Sequence, residues 1–188
     1  MTDKRALRLH LRAARADFEP HALTIPDALR GRLAPGLVIA AYVPIGGEVD
    51  PAPLLAIART AGCVIALPHV VDRATPLRFL DAAGTLGNGP FGLRQPAADA
   101  TVLAPDIILT PLVGFDRRGN RLGQGAGHYD RAFADHPAAW RIGLAWSVQE
   151  VPGLAPDPWD VPLHAILTEL EWIIAMPCHA PPAGPMPS

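Results

Sequence analysis

Four short, mostly apolar runs recur along the chain, and they limit what it can fold into more than any other feature. They cover positions 37–43, 64–67, 106–110 and 141–146. Apolar runs of this length without polar alternation are typical of strands buried on both faces of a parallel sheet. Between the first two runs a helix is predicted from Pro51 to Ala61, with Asp50 as its N-cap. A strand, a helix and a strand with short connections indicate a parallel pair joined by a crossover helix.

Other segments extend this alternation. We predict helices at 3–18 and 125–135, a weaker strand at 77–80, a glycine-rich loop at 84–92, and strands at 165–168 and 172–174 that pair around a turn. The predicted fold is therefore α/β: a single domain with a mostly parallel central sheet flanked by helices, in a Rossmann-like three-layer arrangement. We expect this domain to cover 1–176 and the proline-rich segment 177–188 to be a flexible tail.

Composition argues against several classes of function. The formal net charge is −2 and 49% of the residues are apolar, so we expect a globular protein without nucleic acid or a membrane as partner. No apolar run approaches the roughly 20 residues that span a bilayer. Cys63 and Cys178 form no CxxC pair, and no secretory signal is recognised, which favours reduced thiols in the cytoplasm. The histidines lack HxH or HExxH spacing, so no zinc site is expected.

The predicted helix at 3–18 carries a basic stripe formed by Lys4, Arg8, Arg12 and Arg15. The stripe lies beside the apolar face of the helix rather than opposite it, and that face consists of Leu7, Leu11, Ala14 and Phe18. We therefore expect the basic stripe to lie at the edge of the surface on which the helix packs. Two interpretations stay open, a solvated face of an amphipathic helix or a cationic surface that binds phosphate.

The segment 115–131 concentrates glycine, charge and a predicted helix start. Four glycines within nine residues let the backbone approach a ligand closely, and their amides can point at an anion. The helix that follows adds its N-terminal donors and dipole. Arg121 and Arg131 can add positive charge, and Asp130 is a hard oxygen ligand suited to Mg²⁺. The spacing matches neither a P-loop nor GxGxxG, so a phosphate-binding loop and a tight structural connection both remain possible.

This segment resembles the signature of the 5-formyltetrahydrofolate cyclo-ligase family. The family pattern is Phe-Asp, a short gap, and then Gly-x-Arg-Leu-Gly-x-Gly-x-Gly-Tyr-Tyr-Asp-Arg, found here at 115–116 and 119–131. Four shorter stretches, at 4–8, 42–50, 91–96 and 160–169, resemble further family motifs in the same order. The chain departs from the pattern at His128 for the first tyrosine, Gln95 for a glutamate, Trp159 where histidine is frequent, and His164 where an acidic residue is common.

The resemblance implies an enzyme, a ligase that uses ATP and Mg²⁺ to close 5-formyltetrahydrofolate to 5,10-methenyltetrahydrofolate through a phosphorylated formyl intermediate. The catalytic residues that it implies are Lys4, Arg121 and Asp130, and the metal ligands are Asp130 and Asp160. The folate would contact Glu48, Phe91 and Tyr129. The implied nucleotide-binding residues are Lys4, Arg5, Arg8, Arg121, Gly123, Gln124, Gly125, Ala126, Gly127, His128 and Tyr129.

Three alternative functions remain at this point. One is a diverged paralogue that uses ATP on another formyl or amide compound, and Gln95 and His164 favour it. Another is a folate- or nucleotide-binding protein without turnover. A sugar-phosphate isomerase is the third, although it would need neither the basic helix nor a magnesium-binding acid. In each case we expect a small-molecule ligand, a cytoplasmic location and a monomer or weak homodimer.

Overall fold

The computed structural model describes residues 3–175. In this range the helices are α1 (Lys4–Ala16), α2 (Asp27–Arg30), α3 (Ala52–Thr60) and α4 (His128–Asp135). The strands are β1 (Val38–Ala40), β2 (Val64–His69), β3 (Arg78–Asp81), β4 (Gly87–Asn88), β5 (Arg94–Gln95), β6 (Ile107–Pro111), β7 (Gly114–Phe115), β8 (Arg121–Leu122), β9 (Trp140–Leu144), β10 (Ala165–Leu167) and β11 (Trp172–Ile174). The predicted tail, 177–188, lies outside the described residues. No helix within 3–175 is long and apolar enough to cross a membrane.

Seven strands form one central sheet in the order β11-β10-β9-β6-β1-β2-β3. Its five inner strands pair in parallel, whereas the edge strands β3 and β11 pair antiparallel to their neighbours. The chain runs from β1 to β2 towards one edge and from β6 to β9 towards the other. The direction of winding therefore reverses between β1 and β6, and ligands of doubly wound folds bind at such a reversal. The predicted mostly parallel α/β sheet is confirmed.

Alternating side chains along the strands divide the core into two layers. Ile39 of β1 belongs to the buried cluster that contains Leu54 of α3. Its neighbour Ala40 belongs to the cluster on the other face, which contains Phe133 of α4. Because α3 and α4 cover opposite faces, the domain has the predicted three layers. The alternation follows from the extended backbone, in which successive side chains point to opposite faces of a sheet.

The helix α1 packs outside this sandwich, on the hairpin formed by β7 and β8. Leu11 of α1 is buried against Val113 and Leu122, and Leu7 and Leu154 pack against the same cluster. The apolar face predicted from the sequence thus makes the contact. The basic stripe beside it lies at the edge of the contact, next to the glycine-rich segment that follows β8.

Two predicted elements differ from the observed ones by three residues at one end, and the other bounds agree within two residues. The first predicted strand, 37–43, is a strand only at Val38–Ala40, because the chain then leaves the sheet. The helix predicted from 125 begins at His128, because Gly125 and Gly127 have positive φ angles of 102° and 67° that an α-helix does not allow. The predicted loop 84–92 contains β4, and the hairpin β7–β8 was not predicted. Strands of two residues are too short to show a periodic pattern.

The residue His164 is buried just before β10. Its Nδ1 atom accepts a hydrogen bond from the backbone N–H of Arg141 at 3.0 Å, and its Nε2 lies 2.8 Å from the Arg141 guanidinium. Burial, with a smaller contribution from the Arg141 cation, lowers the pKa of His164 to about 4. The imidazole of His164 is therefore neutral in the folded protein at neutral pH.

We expect acidification to destabilise the protein through His164. Below the ordinary histidine pKa of about 6.5 the unfolded chain binds a proton that the folded imidazole does not bind until about pH 4. The free energy of unfolding should therefore fall by about 2 kcal/mol as the pH drops through this window. Urea denaturation at pH 7 and pH 4.5 measures it, and His164→Asn should flatten the dependence. The control His10→Asn replaces an exposed histidine and should leave the pH dependence unchanged. If His164→Asn also left the pH dependence of the free energy of unfolding unchanged, His164 would not be its source.

Candidate functional site

A cleft of about 760 Å³ opens at the carboxyl ends of β1, β2 and β6. Its floor includes Tyr42 and Val43 after β1, Pro68 in β2 and Pro111 at the end of β6. This is the point at which the winding of the sheet reverses. Its walls come from α1, the glycine-rich segment and a loop before β10, which supply Lys4, Arg8, Arg12, Arg121, Gly123, Gln124, Gly125, Ala126, Gly127, His128, Tyr129, Asp130, Asp157, Trp159 and Asp160.

The basic stripe of α1 contacts separate parts of the cleft wall. Lys4 Nζ lies 2.7 Å from Asp157 Oδ2 and 3.6 Å from Asp160 Oδ2. Arg8 Nε donates a hydrogen bond of 2.8 Å to the carbonyl oxygen of Gly123, and the Arg12 guanidinium donates to the side chain of Gln124. Lys4, Arg8 and Arg12 of the stripe therefore line the cleft, whereas Arg15 is buried and lies next to Glu48.

The residue Arg5 occupies a different face of α1. It is exposed, its N–H is bonded to the side chain of Asp3, and it is not among the residues that line the cleft. A nucleotide contact by Arg5 remains a prediction. The side chain of Phe91 falls outside the described part of the structure, so its folate contact stays a prediction as well.

The glycine-rich segment 123–127 leads directly into the N-terminus of α4. Gly127 is the N-cap of this helix and supplies no side-chain cap, so the first amide groups of α4 have no capping side chain. At Gly125 a Cβ atom would lie 3.7 Å from the guanidinium carbon of Arg8. An anion at this position would meet helix amides, the positive end of the helix dipole and an arginine. The residues present therefore fit a polyphosphate.

Arg121 and Asp130 form a nearly buried ion pair in the cleft wall. The Arg121 Nη2 atom lies 2.6 Å from Asp130 Oδ1, and the Arg121 side chain is only 5% exposed. Its guanidinium carbon also lies 4.5 Å from the centre of the Phe133 ring. Burial lowers the pKa of Arg121, whereas Asp130 acts in the opposite direction. The Asp130 Oδ1 atom also accepts the N–H of Val161, so Oδ2 takes part in neither bond.

The second predicted metal ligand, Asp160, belongs to a turn that starts at Asp157. The N–H of Asp157 donates to Asp160 Oδ2 at 2.8 Å, and the N–H of Asp160 donates to the carbonyl of Asp157 at 3.0 Å. Within residues 3–175, no group of three or more His, Cys, Asp or Glu is placed to hold a metal ion. Two carboxylates on one cleft nevertheless suit Mg²⁺, which keeps water and phosphate oxygens among its ligands.

At the end of the cleft next to Arg15, Glu48 is almost fully enclosed, and it accepts a hydrogen bond of 3.5 Å from Gln124 of the glycine-rich segment. Its side chain is 5% exposed, and its Oε1 lies 3.9 Å from Arg15 Nη1. Its Oε2 accepts the N–H of Ile45 at 3.2 Å. Burial raises the pKa of Glu48, and the Ile45 hydrogen bond and Arg15 oppose the shift only in part. A buried carboxyl group with a raised pKa can accept a hydrogen bond from a polar ring that enters the cleft or, when it is protonated, donate one to that ring.

The aromatic residue Tyr129 stands between the two ends, in the first turn of α4. Its ring centre lies 6.1 Å from that of Phe133. Burial raises the pKa of Tyr129, so its hydroxyl keeps its proton and can donate a hydrogen bond at neutral pH. Its neighbour His128 lies 3.2 Å from the guanidinium of Arg131, and burial followed by this cation lowers the pKa of His128.

The departure at Gln95 has a structural explanation. The side chain is buried, its Oε1 accepts the N–H of Val70 at 3.0 Å, and its Nε2 donates to the carbonyl of Val70 at 3.2 Å. An amide satisfies a backbone donor and acceptor at once, which an ionised carboxylate cannot do. Gln95 therefore holds the segment after β2, where Val70 lines the cleft.

We expect Gln95→Glu to destabilise the protein at neutral pH. The carboxylate would leave the Val70 carbonyl without a donor, which should lower the free energy of unfolding by about 1–3 kcal/mol. At pH 4.5 the loss should be smaller, because a protonated carboxyl can donate to that carbonyl. Urea denaturation at both pH values measures this. Asn88→Asp on the exposed strand β4 makes the same amide-to-acid change and should shift stability by less than about 0.5 kcal/mol. An equal loss at both pH values would contradict this explanation.

The buried side chain of Asp116 organises the turn between β7 and β8. Its Oδ1 accepts the backbone N–H groups of Arg118 at 2.9 Å and of Asn120 at 3.1 Å. Its Oδ2 accepts the side-chain amide of Asn120 and the N–H of Leu154, both at 2.9 Å. The aspartate of the Phe-Asp motif thus connects the hairpin that carries Arg121 with the loop that carries Asp160.

The structure brings most of the predicted site residues together and adds others. Arg12, Asp157 and Trp159 line the cleft although the sequence did not assign them to the site. Arg12 could have been included from its position in the basic stripe. Nothing in the spacing of Asp157 distinguishes it from other acidic residues in turns.

Comparisons with known proteins give one family. The model of the "5-formyltetrahydrofolate cyclo-ligase family" matches residues 1–169. The curated 5-formyltetrahydrofolate cyclo-ligase of Mycolicibacterium smegmatis is 34% identical over 165 residues, which cover 80% of this chain and 84% of that protein. The cyclo-ligase of Haemophilus influenzae is 42% identical over 83 residues, 41% of this chain and 44% of that protein. The solved structure of Aquifex aeolicus 5,10-methenyltetrahydrofolate synthetase is 26% identical, with a TM-score of 0.74 over 94% of this chain and 95% of that one. The chain belongs to the 5-formyltetrahydrofolate cyclo-ligase family.

Proposed function

We propose that the protein catalyses the ATP- and Mg²⁺-dependent cyclisation of 5-formyltetrahydrofolate to 5,10-methenyltetrahydrofolate, with release of ADP and phosphate. Family membership makes it an enzyme of the ligase class. The observation that carries the proposal is a single cleft that brings cationic groups and a helix N-terminus next to the buried carboxyl group of Glu48, which Gln124 of the glycine-rich segment contacts at 3.5 Å. Such a cleft can hold a polyphosphate next to a polar heterocycle.

The chemical difficulty is the formamide oxygen of the substrate, which is a poor leaving group. Transfer of the terminal phosphoryl group of ATP to this oxygen forms a P–O bond and releases ADP. N10 of the folate then attacks the formyl carbon, loses its proton, and the C–O bond breaks with departure of phosphate. In these two chemical steps, the protein's main task is to position the reactants and to stabilise charge.

At the nucleotide end, Lys4 and Arg8 would bind phosphate oxygens, and the segment 123–127 would direct backbone amides at them. Arg121 would add a positive charge whose position is set by Asp130. A preorganised charge such as that of the nearly buried Arg121 would stabilise the transferring phosphoryl group more than the same charge in water. These roles make Lys4, Arg121 and Asp130 the proposed catalytic residues.

The carboxylates of Asp130 and Asp160 would hold Mg²⁺, together with phosphate oxygens. The ion would neutralise charge on the phosphates when bound. Lys4 already lies 3.6 Å from Asp160 Oδ2, so a positive charge at this carboxylate is compatible with the surrounding structure. At the folate end, Glu48 would bond the pterin ring, and Tyr129 and Phe91 would line the slot for its aromatic parts.

The remaining expectations also stand as proposals. We propose that 1–176 form the catalytic domain and that the enzyme acts in the cytoplasm as a monomer or weak homodimer. A paralogue specific for another formyl or amide compound would retain the nucleotide end of the cleft and differ at Glu48. A non-catalytic binder would bind the same ligands and release no ADP.

The test follows the methenyl product by its absorbance while the purified protein is incubated with 5-formyltetrahydrofolate. We expect product only when ATP and Mg²⁺ are both present, and one ADP for each ring closed. ADP release with another formyl or amide compound, but none with the folate, would favour the paralogue. Binding of both ligands without any ADP release would favour the binder.

A further inference from the structure

The tryptophan Trp159 is exposed at the mouth of the cleft. Its surface is 69% accessible, and it lies among the residues that line the cleft. Trp140 and Trp146 are buried, and Trp172 is half-buried. Because Trp159 also lines the cleft, its indole offers a large, flat apolar face to a ligand bound there.

The backbone around Trp159 is held in place on two sides. The turn from Asp157 to Asp160 is closed by the two hydrogen bonds described above. It is attached to α1 through the 2.7 Å ion pair between Lys4 and Asp157. Because the turn is fixed by these contacts, the indole is presented at the cleft mouth at a small entropic cost, as an anchor for a ligand should be.

The chemistry next to Trp159 indicates which aromatic ring it meets. Asp160 follows Trp159 in the sequence, and Lys4 is ion-paired with both Asp157 and Asp160. Lys4 and Asp160 belong to the end of the cleft proposed for the phosphates and Mg²⁺. The buried Glu48, proposed for the folate ring, lies beside Arg15, about three turns along α1 from Lys4. The terminal phosphate must point towards the folate, so the base of the nucleotide must point outwards, towards the mouth.

We propose that Trp159 stacks on the purine base of the bound nucleotide and contributes much of the affinity for that base. This inference rests on the proposed function. Stacking against an indole uses the π-face that every base has, and reads no hydrogen-bond pattern. The enzyme should therefore bind ADP and GDP with affinities within about threefold of each other.

Fluorescence and calorimetry test this with ADP and with tripolyphosphate, which carries the phosphates without a base. ADP should quench the tryptophan fluorescence of the parent protein, and Trp159→Phe should abolish the quenching. By calorimetry, Trp159→Ala should weaken ADP binding roughly 5- to 20-fold and leave tripolyphosphate binding unchanged. Trp159→His, which keeps a smaller aromatic ring, should bind ADP with an affinity between that of the parent protein and that of Trp159→Ala. Leu170→Ala, which removes another exposed apolar side chain outside the cleft, should change neither affinity.

Four outcomes would overturn the proposal, and the last of them would also overturn the proposed function. Equal weakening of ADP and tripolyphosphate binding in Trp159→Ala would mean that the residue only positions the turn at Asp157. Quenching by 5-formyltetrahydrofolate but not by ADP would place the folate against the indole. Unchanged ADP affinity in Trp159→Ala, with ADP still bound, would refute the stacking and leave the nucleotide site intact. If the parent protein bound neither ADP nor tripolyphosphate, the proposed function would fail as well.

Discussion

Replacement of Asp130 by alanine is expected to lower kcat for ring closure by about 100- to 1,000-fold. The substitution removes a proposed Mg²⁺ ligand and also the partner of Arg121, whose side chain is 5% exposed and lies 2.6 Å from Asp130. An arginine left without its counter-ion in a nearly buried position tends to move or to draw in water. The charge proposed to face the transferring phosphoryl group would then be displaced. Activity measured against Mg²⁺ concentration, with the methenyl product as readout, tests this.

Two further variants separate the role of charge from that of structure. Asp130→Asn keeps an oxygen that can accept hydrogen bonds from Arg121 and Val161 but removes the negative charge. If the charge binds Mg²⁺, Asp130→Asn should lose nearly as much activity as Asp130→Ala while its thermal stability changes less. Asp135→Ala, at the exposed end of the same helix, should retain parental activity. Full activity of Asp130→Asn at ordinary Mg²⁺ concentrations would eliminate Asp130 as a metal ligand.

The second large effect is expected from Asp116→Ala, which should lower the free energy of unfolding by about 3–4 kcal/mol. Four N–H groups, from Arg118, Asn120 (two) and Leu154, lose the carboxylate that accepts their hydrogen bonds. Hydrogen bonds to a charged acceptor are each worth about 1.5–3 kcal/mol, but they share one carboxylate and are not additive. Water can also enter at the partly exposed turn and replace part of them.

Urea denaturation of Asp116→Ala provides the measurement, and Asp99→Ala provides the matched control. Asp99 is exposed in a loop, so its removal should change stability by less than about 0.5 kcal/mol. Asp116→Asn should lower the free energy of unfolding by less than Asp116→Ala but by more than Asp99→Ala. Its oxygen can still accept hydrogen bonds, but its amide nitrogen would face the N–H groups that now donate to Oδ2. A loss below about 1 kcal/mol in Asp116→Ala would show that the motif aspartate does not hold the hairpin and the loop together.

Much of the architecture could be predicted from local patterns. The four apolar runs indicated four of the five inner strands. The paired runs at 165–168 and 172–174 indicated the fifth inner strand and the antiparallel edge next to it. The period of α1 indicated which of its faces would pack. These features depend on residues a few positions apart, because hydrogen bonding within a helix and alternation along a strand are set by neighbours in the chain.

Only some of the residues that line the cleft could be predicted from the sequence. The family signature pointed to Lys4, Arg8, Glu48 and the segment 121–130, since their spacing matches a known pattern. It did not point to Asp157, which is bonded to Lys4 across 153 positions of sequence. It also did not distinguish Asp116 and Gln95, whose side chains bond to the backbone, from residues that contact substrate.

The chain itself determined the elements, the parallel sheet and the motif that marks the family, because each is specified by residues close together in sequence. The tertiary structure decided which surfaces meet. The order of the strands places the ends of β1, β2 and β6 side by side, and the packing of Leu11 on Val113 and Leu122 turns most of the basic stripe into a wall of the cleft. Burial lowers the pKa of Arg121 and raises that of Glu48, and the oppositely charged partner of each residue counteracts the shift. Both effects arise only from this packing and have no signature in the order of the residues.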